Sequence, residues 1–473
     1  MSKEIALKWV EENKQKIIEM SDKVWEYAEP GLLEFKTADL IANYIESEGF
    51  KVERGVAGMP TAFVATWGKG KPVLGVLGEL DALAGISQKA VPYRDPVEEG
   101  GCGHGCGHNI YGVGGMAAAI AIKVSMEAKN IPGTVKYFGC PAEETLVGKV
   151  FMVRDGLFDE LDAVISHHPD EFNTTCMGST NAMNSFKVHF YGRTAHSSAD
   201  PENGISALDA LELMSTGVNY MREHIIEKAR VHYVTEAGGA QPNVVPEYAR
   251  VWYYVRAPER DQVDYIYNWI LQIVDGADKM ARTTHKIEFL TGCYNYIPST
   301  ELSKLVIKNM RDIGTPKHDA EDIEFAEKMS ESIDREMKIN SFRKSKIPNW
   351  EELVDEYFAE KVYDDFTSGN LGAGSTDVSD VSWITPTVEF TTSCSMLGVP
   401  SHSWQRVAQS GSSIGHKGLI FASKVMATSG IEILTNPELL KRIRDEWTNR
   451  LAGRTYKSPL PADLKPPLDQ LKK

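Results

Sequence analysis

The 473-residue chain holds only six cysteines, Cys102, Cys106, Cys140, Cys176, Cys293 and Cys394. That is too sparse for a disulfide framework and fits a reducing compartment, where such residues are free thiols or metal ligands. Positive charge is also short. Lys+Arg number 51 against 66 Asp+Glu, a net charge of −15, which repels a phosphate backbone and excludes nucleic acid as an expected partner. No unbroken apolar run approaches the ~18 residues of a membrane helix. The first twenty residues, MSKEIALKWVEENKQKIIEM, form a charged amphipathic pattern without a signal-peptide core. The expectation is therefore a cytoplasmic protein with no membrane partner. Gly 39 and Pro 22 fall short of a low-complexity composition. What is present is an ordinary globular balance, 42% hydrophobic and 25% charged, with length for two to three domains at ~150 residues each.

Apolar residues recur at three- and four-residue spacing from 4 to 48, which predicts two helices parted by a turn at Pro30-Gly31. The runs 61–67 and 72–77 are β-rich and flank Gly68-Lys69-Gly70-Lys71, a hairpin signal. A small-residue helix over 109–128 precedes a strand at 134–140, and a further strand at 162–166 ends in His167-His168-Pro169. Helix and strand thus alternate, with polar clusters at strand ends, the edge where ligands collect in open α/β sheets. The pattern changes near Asn184. Strand, helix, two strands, helix and strand follow, the ferredoxin-like order, and predict an inserted α+β domain over 184–296 between a first part at 1–183 and a second at 297–473. The charged stretch 315–366 reads as a helical surface excursion with a solvated face.

The densest chemical signal is GCGHGCGHN at 101–109, two Cys-Gly-His units opening a helix. Thiolate and imidazole suit a borderline-soft ion such as Zn²⁺, and glycines let the loop fold tightly around it. Glu143-Glu144 follows a strand, His167-His168 ends another, and His402 lies in a Ser/Gly-rich loop. Each has a plain structural reading as well: a glycine loop with free thiols, a helix start favoured by the macrodipole, surface histidines. Together, at one sheet edge, they meet the needs of a two-metal hydrolase.

The order Glu79-Leu80-Asp81-Ala82-Leu83, Cys106-Gly107-His108-Asn109, Pro141-Ala142-Glu143-Glu144, His168, Gly192-Arg193-Thr194-Ala195-His196, Asn243-Val244-Val245-Pro246 and His402-Ser403 resembles the dinuclear-metal amidohydrolases that include carboxypeptidase G, the aminoacylases and the auxin-conjugate hydrolases. The resemblance covers nearly the whole chain. It implies an α/β fold: a zinc-exopeptidase-like catalytic domain with a mixed sheet flanked by helices, plus an inserted ferredoxin-like lid and dimerisation domain. It implies two divalent ions, Zn²⁺ or Mn²⁺, on Cys106, His108, Glu144, His168 and His402, with Glu143 as general base. It makes His196 the lid residue that stabilises the oxyanion, often in the opposite subunit, so that the expected state is a homodimer or a pairing with a homologous subunit. Asn243 and Arg256 become candidate clamps for a substrate carboxylate, and Asp81 a group that orients a ligand imidazole.

The implied substrate is a small N-acyl amino acid, an aryl-acyl glutamate such as p-aminobenzoyl-glutamate being the best guess. Another N-acyl amino acid, a dipeptide, or a non-catalytic subunit of a heteromeric amidohydrolase are the alternatives. Asn109 and Tyr111 stand where the auxin-conjugate hydrolases have Asp and a final His, so those roles do not transfer. Cys102 and His104 form an extra copy that could serve as an auxiliary ligand pair. His168 is preferred over His167 on its spacing from Asp162, and His416 reads as structural.

Overall fold

The computed structural model describes residues 2–372 and 374–468. Three helices open the chain, Ser2–Glu12, Lys14–Tyr27 and Phe35–Ser47. The periodicity predicted two over this span; the first breaks at Asn13, whose side-chain amide donates to Trp9 O at 2.8 Å. Strands β1 (Lys51–Arg54), β2 (Phe63–Lys69), β3 (Val73–Glu79), β4 (Gly133–Cys140), β5 (Ala163–Asp170) and β6 (Thr174–Thr175) belong to the main sheet. A second sheet is built from β7 (Ala182–Tyr191), β8 (Arg230–Ala237), β9 (Tyr248–Ala257) and β10 (Thr284–Cys293). The chain then returns as β11 (Thr387–Ser393), and the main sheet has the order β1-β2-β4-β3-β5-β11-β6.

The expected hairpin across Gly68–Lys71 does not form. β4 lies between β2 and β3, antiparallel to the first and parallel to the second. Every residue of β3 is buried, and a strand with both faces covered takes a central place with a neighbour on each side. β3 pairs in parallel with β4 and β5, and β5 with β11. The carboxyl ends of these strands therefore point to one edge.

Helix His108–Lys129 runs along β3. An added Cβ on Gly115 would stand 2.4 Å from Leu77 O, and one on Gly112 would stand 2.7 Å from Glu79 O. The glycines let helix and strand backbones touch, and so the helix start delivers His108 to the end of β3. This helix and Ser413–Thr435 are long and apolar enough to cross a membrane by composition, but 89% and 78% of their apolar windows are buried within the protein. They form the core behind the sheet edge.

The second sheet has the order β10-β7-β9-β8, with every pairing antiparallel. β9 buries alternate residues, Ala249, Val251, Tyr253, Val255 and Ala257, against helices Ala207–Met221 and Arg260–Ala281. This is the ferredoxin-like arrangement predicted from the pattern. β8 is an edge strand with Tyr233 and Val234 exposed.

The stretch 315–366 keeps the expected solvated face, most of its residues being exposed or half-buried, but its other side is packed against the protein. Helices Ala320–Ser330 and Arg335–Lys344 bury Ala326, Met329 and Phe342. Ala326 and Met329, with Phe358, pack against Met396, Val399 and Ala408. Leu397 N donates to Tyr357 O at 2.8 Å and Gln405 Nε2 to Ser332 Oγ at 3.3 Å. Most of the charges face water, Asp322 and Lys338 being buried, while a sparse apolar set, invisible as a period, seats the segment on the loop that carries His402. Gly398, at φ 83, lies on the Lys338 stem, where a Cβ would meet Cγ at 2.4 Å. Gly398→Ala should accordingly cost more than about 1 kcal/mol, read as a lowered melting temperature. An unchanged melting temperature would mean the loop is not held this way.

Candidate metal centre

The site residues gather at the carboxyl edge of the main sheet. Asp81 follows β3, Glu143 and Glu144 form a 3-10 turn after β4, and His168 lies on β5. Cys106 and His108 sit at the start of helix His108–Lys129, and His402 in the loop after β11. Cys106, His108 and His168 bring one ligand atom each within 4.8 Å of one another, and so do Cys106, Glu144 and His402. Cys106 is common to both groups. Glu143 stands outside them, in a third group with Glu79 and His108.

Tautomers are set from behind. His108 Nδ1 lies 2.9 Å from Asp81 O and 3.2 Å from Asp81 Oδ1. His168 Nδ1 donates to Pro169 O at 2.9 Å. Both rings thus turn Nε2 toward the cluster, as metal-ligating imidazoles do. His108 Nε2 is buried, 3.1 Å from Glu79 Oε2, yet neither atom has a hydrogen-bond partner among the described residues. His402 is backbone-strained at φ 54, half-exposed, with Nε2 3.7 Å from Glu144 Oε2.

Negative charge is in surplus. Burial pushes Glu143 well above the ordinary carboxylate range, and Glu79, Asp377 and Glu144 push it further while Lys149 opposes them. Burial, then Glu144 and Glu143, drive the Cys106 thiol far up. Burial, then His108, lower His168 to about 4, so it is neutral with a free lone pair near pH 7. Against its own burial, His108 is held above its usual value by Asp81, Glu79 and Glu144. Thiolate, imidazole and carboxylate, with an orphaned buried nitrogen at their centre, fit a divalent metal.

Asp81 is buried and accepts from Glu143 N at 3.2 Å and Glu144 N at 3.0 Å besides facing His108. His167 points the other way, with Nε2 2.8 Å from Thr392 Oγ1 in the core. His104 is buried behind the loop on Val24 O at 3.1 Å, and neither it nor Cys102 joins a three-donor group among the described residues. His416 pairs with Asp22 at 2.6 Å. Asn109 donates to Ser21 Oγ and Ser410 O, both at 3.0 Å, and Tyr111 contacts Ser166, which gives these two departures structural posts.

His196 and Asn243 lie exposed on the second sheet's loops. His196 Nδ1 accepts from Ser198 N and Ala199 N at 3.2 Å, and Asn243 O accepts from Ser197 N at 3.0 Å. These bonds lie within the inserted domain and occupy Nδ1 of His196, leaving Nε2 as the ring nitrogen without a backbone contact among them. Arg256 ends β9, opposite Met183 and Arg230, with its guanidinium 5.7 Å from the Tyr254 ring.

Sequence reasoning missed the support behind the cluster. Lys149 Nζ bridges Glu79 Oε1 at 2.7 Å and Asp377 Oδ1 at 2.6 Å, all three side chains at most 1% exposed. A lone lysine inside the apolar run GKVFMV was the available signal.

Comparison with known proteins bears on the family and the fold. A peptidase dimerisation domain matches residues 179–280. The chain is 38% identical over 470 residues to one subunit of the p-aminobenzoyl-glutamate hydrolase of Escherichia coli K12, covering 97% of each chain. Among solved structures it is similar to an aminobenzoyl-glutamate utilization protein from Klebsiella pneumoniae, at TM-score 0.58 and 18% identity over 87% of this chain and 97% of that one. It is also similar to a dinuclear metal-binding peptidase of the M20 family from Bacillus subtilis, at TM-score 0.57 and 15% identity over 90% and 99%. These last two likenesses concern the fold.

Proposed function

Because the chain belongs to the M20 family of metal-dependent peptidases and amidohydrolases, we propose that it hydrolyses the amide of an N-acyl amino acid, with p-aminobenzoyl-glutamate as substrate and p-aminobenzoate and glutamate as products. The observation that carries this is the pair of three-donor groups sharing Cys106, with Glu143 beside them and in neither. Cys106, His108 and His168 would hold one ion, and Cys106, Glu144 and His402 the other, either Zn²⁺ or Mn²⁺. Bound there, the ions supply the charge that polarises a carbonyl and makes water acidic near neutral pH.

Glu143 takes the proton of the attacking water and passes it to the leaving amine nitrogen, since its carboxylate is not spent on a ligand bond. Asp81 holds the Glu143-Glu144 turn and the His108 ring in one geometry through its two oxygens. His196, with Nδ1 occupied by backbone N–H groups, offers Nε2–H to the developing oxyanion. Asn243 and Arg256 bind the amino acid's carboxylate, the guanidinium giving a two-pronged contact.

The exposed place of His196 supports a dimer in which the inserted domain of one copy serves the other, through the open edge of β8 with Tyr233 and Val234. Pairing with a homologous subunit would use the same edge. Six free cysteines support a cytoplasmic setting.

The test is hydrolysis of p-aminobenzoyl-glutamate and a panel of N-acyl amino acids by purified protein loaded with Zn²⁺ or Mn²⁺, with metal content measured in parallel. Glutamate release with about two metals per chain is the expected result. Two metals without turnover on any substrate would favour a missing partner chain, and absence of bound metal would sink the reading.

A further inference from the structure

The turn that carries Glu143 and Glu144 presents three consecutive backbone N–H groups, and each meets a carboxylate oxygen. Asp81 accepts from Glu143 and Glu144. The first of the three, Ala142 N–H, donates to Glu34 Oε1 at 2.8 Å. Ala142 is left-handed at φ 54, a conformation that a residue with a Cβ keeps only where its surroundings hold it. One side of it is closed by the loop at Gly31, where an added Cβ would stand 3.0 Å from Ala142 Cβ.

Glu34 is an unusual residue for this place. It directly precedes helix Phe35–Ser47, but its side chain makes no capping bond. Glu29 caps the helix instead, accepting from Lys36 N at 3.0 Å and Thr37 N at 2.9 Å. Freed from that duty, Glu34 turns inward and is fully buried, with Thr61 Oγ1 donating to Oε2 at 2.8 Å. Burying a carboxyl group carries a desolvation cost that ending a helix does not require. Its two oxygens join the Ala142 peptide to the Thr61 hydroxyl.

We infer that Glu34 is a positioning residue: its carboxyl group fixes the Ala142 peptide in the left-handed turn and so aims Glu143 and Glu144 at the metal cluster. The roles of those two glutamates rest on the hydrolase reading; the hold on the turn does not. A glutamine here keeps an oxygen for Ala142 N–H and places an amide against the Thr61 hydroxyl, which can accept from it. An alanine keeps neither.

The experiment compares full-length wild type with Glu34→Ala, Glu34→Gln and, as a helix-cap control, Glu29→Gln. Amide exchange in the peptide spanning 142–144 should quicken about tenfold in Glu34→Ala, the loss expected for one buried hydrogen bond. It should stay at the wild-type rate in Glu34→Gln and Glu29→Gln. In Glu34→Ala, affinity for the second metal ion should fall about tenfold, and so should kcat at saturating metal, with KM nearly constant, because a small misplacement of reacting groups acts on kcat. Glu34→Gln should restore all three. A folded Glu34→Ala that exchanges these amides at the wild-type rate, or a Glu34→Gln as impaired as Glu34→Ala, overturns the inference. A wild-type chain that binds no metal would count against the hydrolase reading, while the exchange comparison still decides the role of Glu34. Should Glu34→Ala not accumulate folded, Thr61→Val, which removes only the hydroxyl on Oε2, should quicken the same exchange several-fold, and no change there also overturns it.

Discussion

Glu143→Gln should lose turnover by about 10²- to 10⁴-fold, the range of general acid–base catalysis, while keeping its metals. The two halves of this result come from one geometric fact. Glu143 approaches Glu79 and His108 but belongs to neither donor group that includes Cys106, so removing its charge deletes a proton carrier without deleting a ligand. Stability should move the opposite way. In the metal-free protein burial raises the Glu143 carboxyl well above its ordinary value, with Glu79, Asp377 and Glu144 adding to the shift. A carboxyl raised in the folded state contributes stability that is present below its unfolded pKa and lost as pH rises through the folded one. Glutamine removes that loss, so the variant's melting temperature should equal or exceed the wild type's, more so at pH 8 than at pH 5. A dead enzyme that is at least as stable and fully loaded cannot be explained by misfolding. Wild-type kcat/KM in this variant would dismiss Glu143 as the base, and lost metal would make it a ligand. Glu144→Gln is the contrast: it lies in a donor group and should lose metal along with activity.

How much of this was legible in the sequence depends on the range over which each signal acts. The alternation of the inserted domain is a local, period-two signal, and YARVWYYVR at 248–256 shows it plainly. The candidate donors Glu144 and His168 were legible at strand ends, Cys106, His108 and His402 came with the family resemblance, and the structure gathers these residues at one edge. Pairing partners are not local. Gly68–Lys71 has every mark of a hairpin, and only the full burial of β3 on both faces shows that another strand must lie beside it. In 315–366 the solvated face was legible and the packed side was not: its apolar residues are few and irregularly spaced, so charge hid a contact with the His402 loop. Glu34 and Lys149 were missed because their meaning lies wholly in partners far along the chain, Ala142 for one, and Glu79 and Asp377 for the other. A buried charge is read from what surrounds it.

That principle sets the largest stability effect expected here. Lys149 is the cation between Glu79 and Asp377, and its own backbone N–H donates to Asp377 Oδ2 at 2.7 Å. Lys149→Met keeps the stem and removes the charge, leaving the two buried carboxylates without it, which should cost about 3–5 kcal/mol. Burial already raises both acids in the folded protein, with Lys149 the main group lowering them. Without it their folded pKa values rise further. By the same linkage, stability from a raised carboxyl is present at low pH and lost as pH climbs, so the deficit of Lys149→Met should be largest at pH 8 and shrink toward pH 5. Thermal denaturation of metal-free protein across that range measures it. Neutralising the acids as well, in Lys149→Met with Glu79→Gln and Asp377→Asn, should recover most of the lost stability, because removing a whole buried ionic set is far milder than removing one member. If the single and triple variants are equally unstable, the damage is lost packing and not stranded charge. If the single variant melts like wild type at pH 8, the three groups are not the ionic brace of the cluster, and the fixed position of Glu79 beside His108 needs another cause.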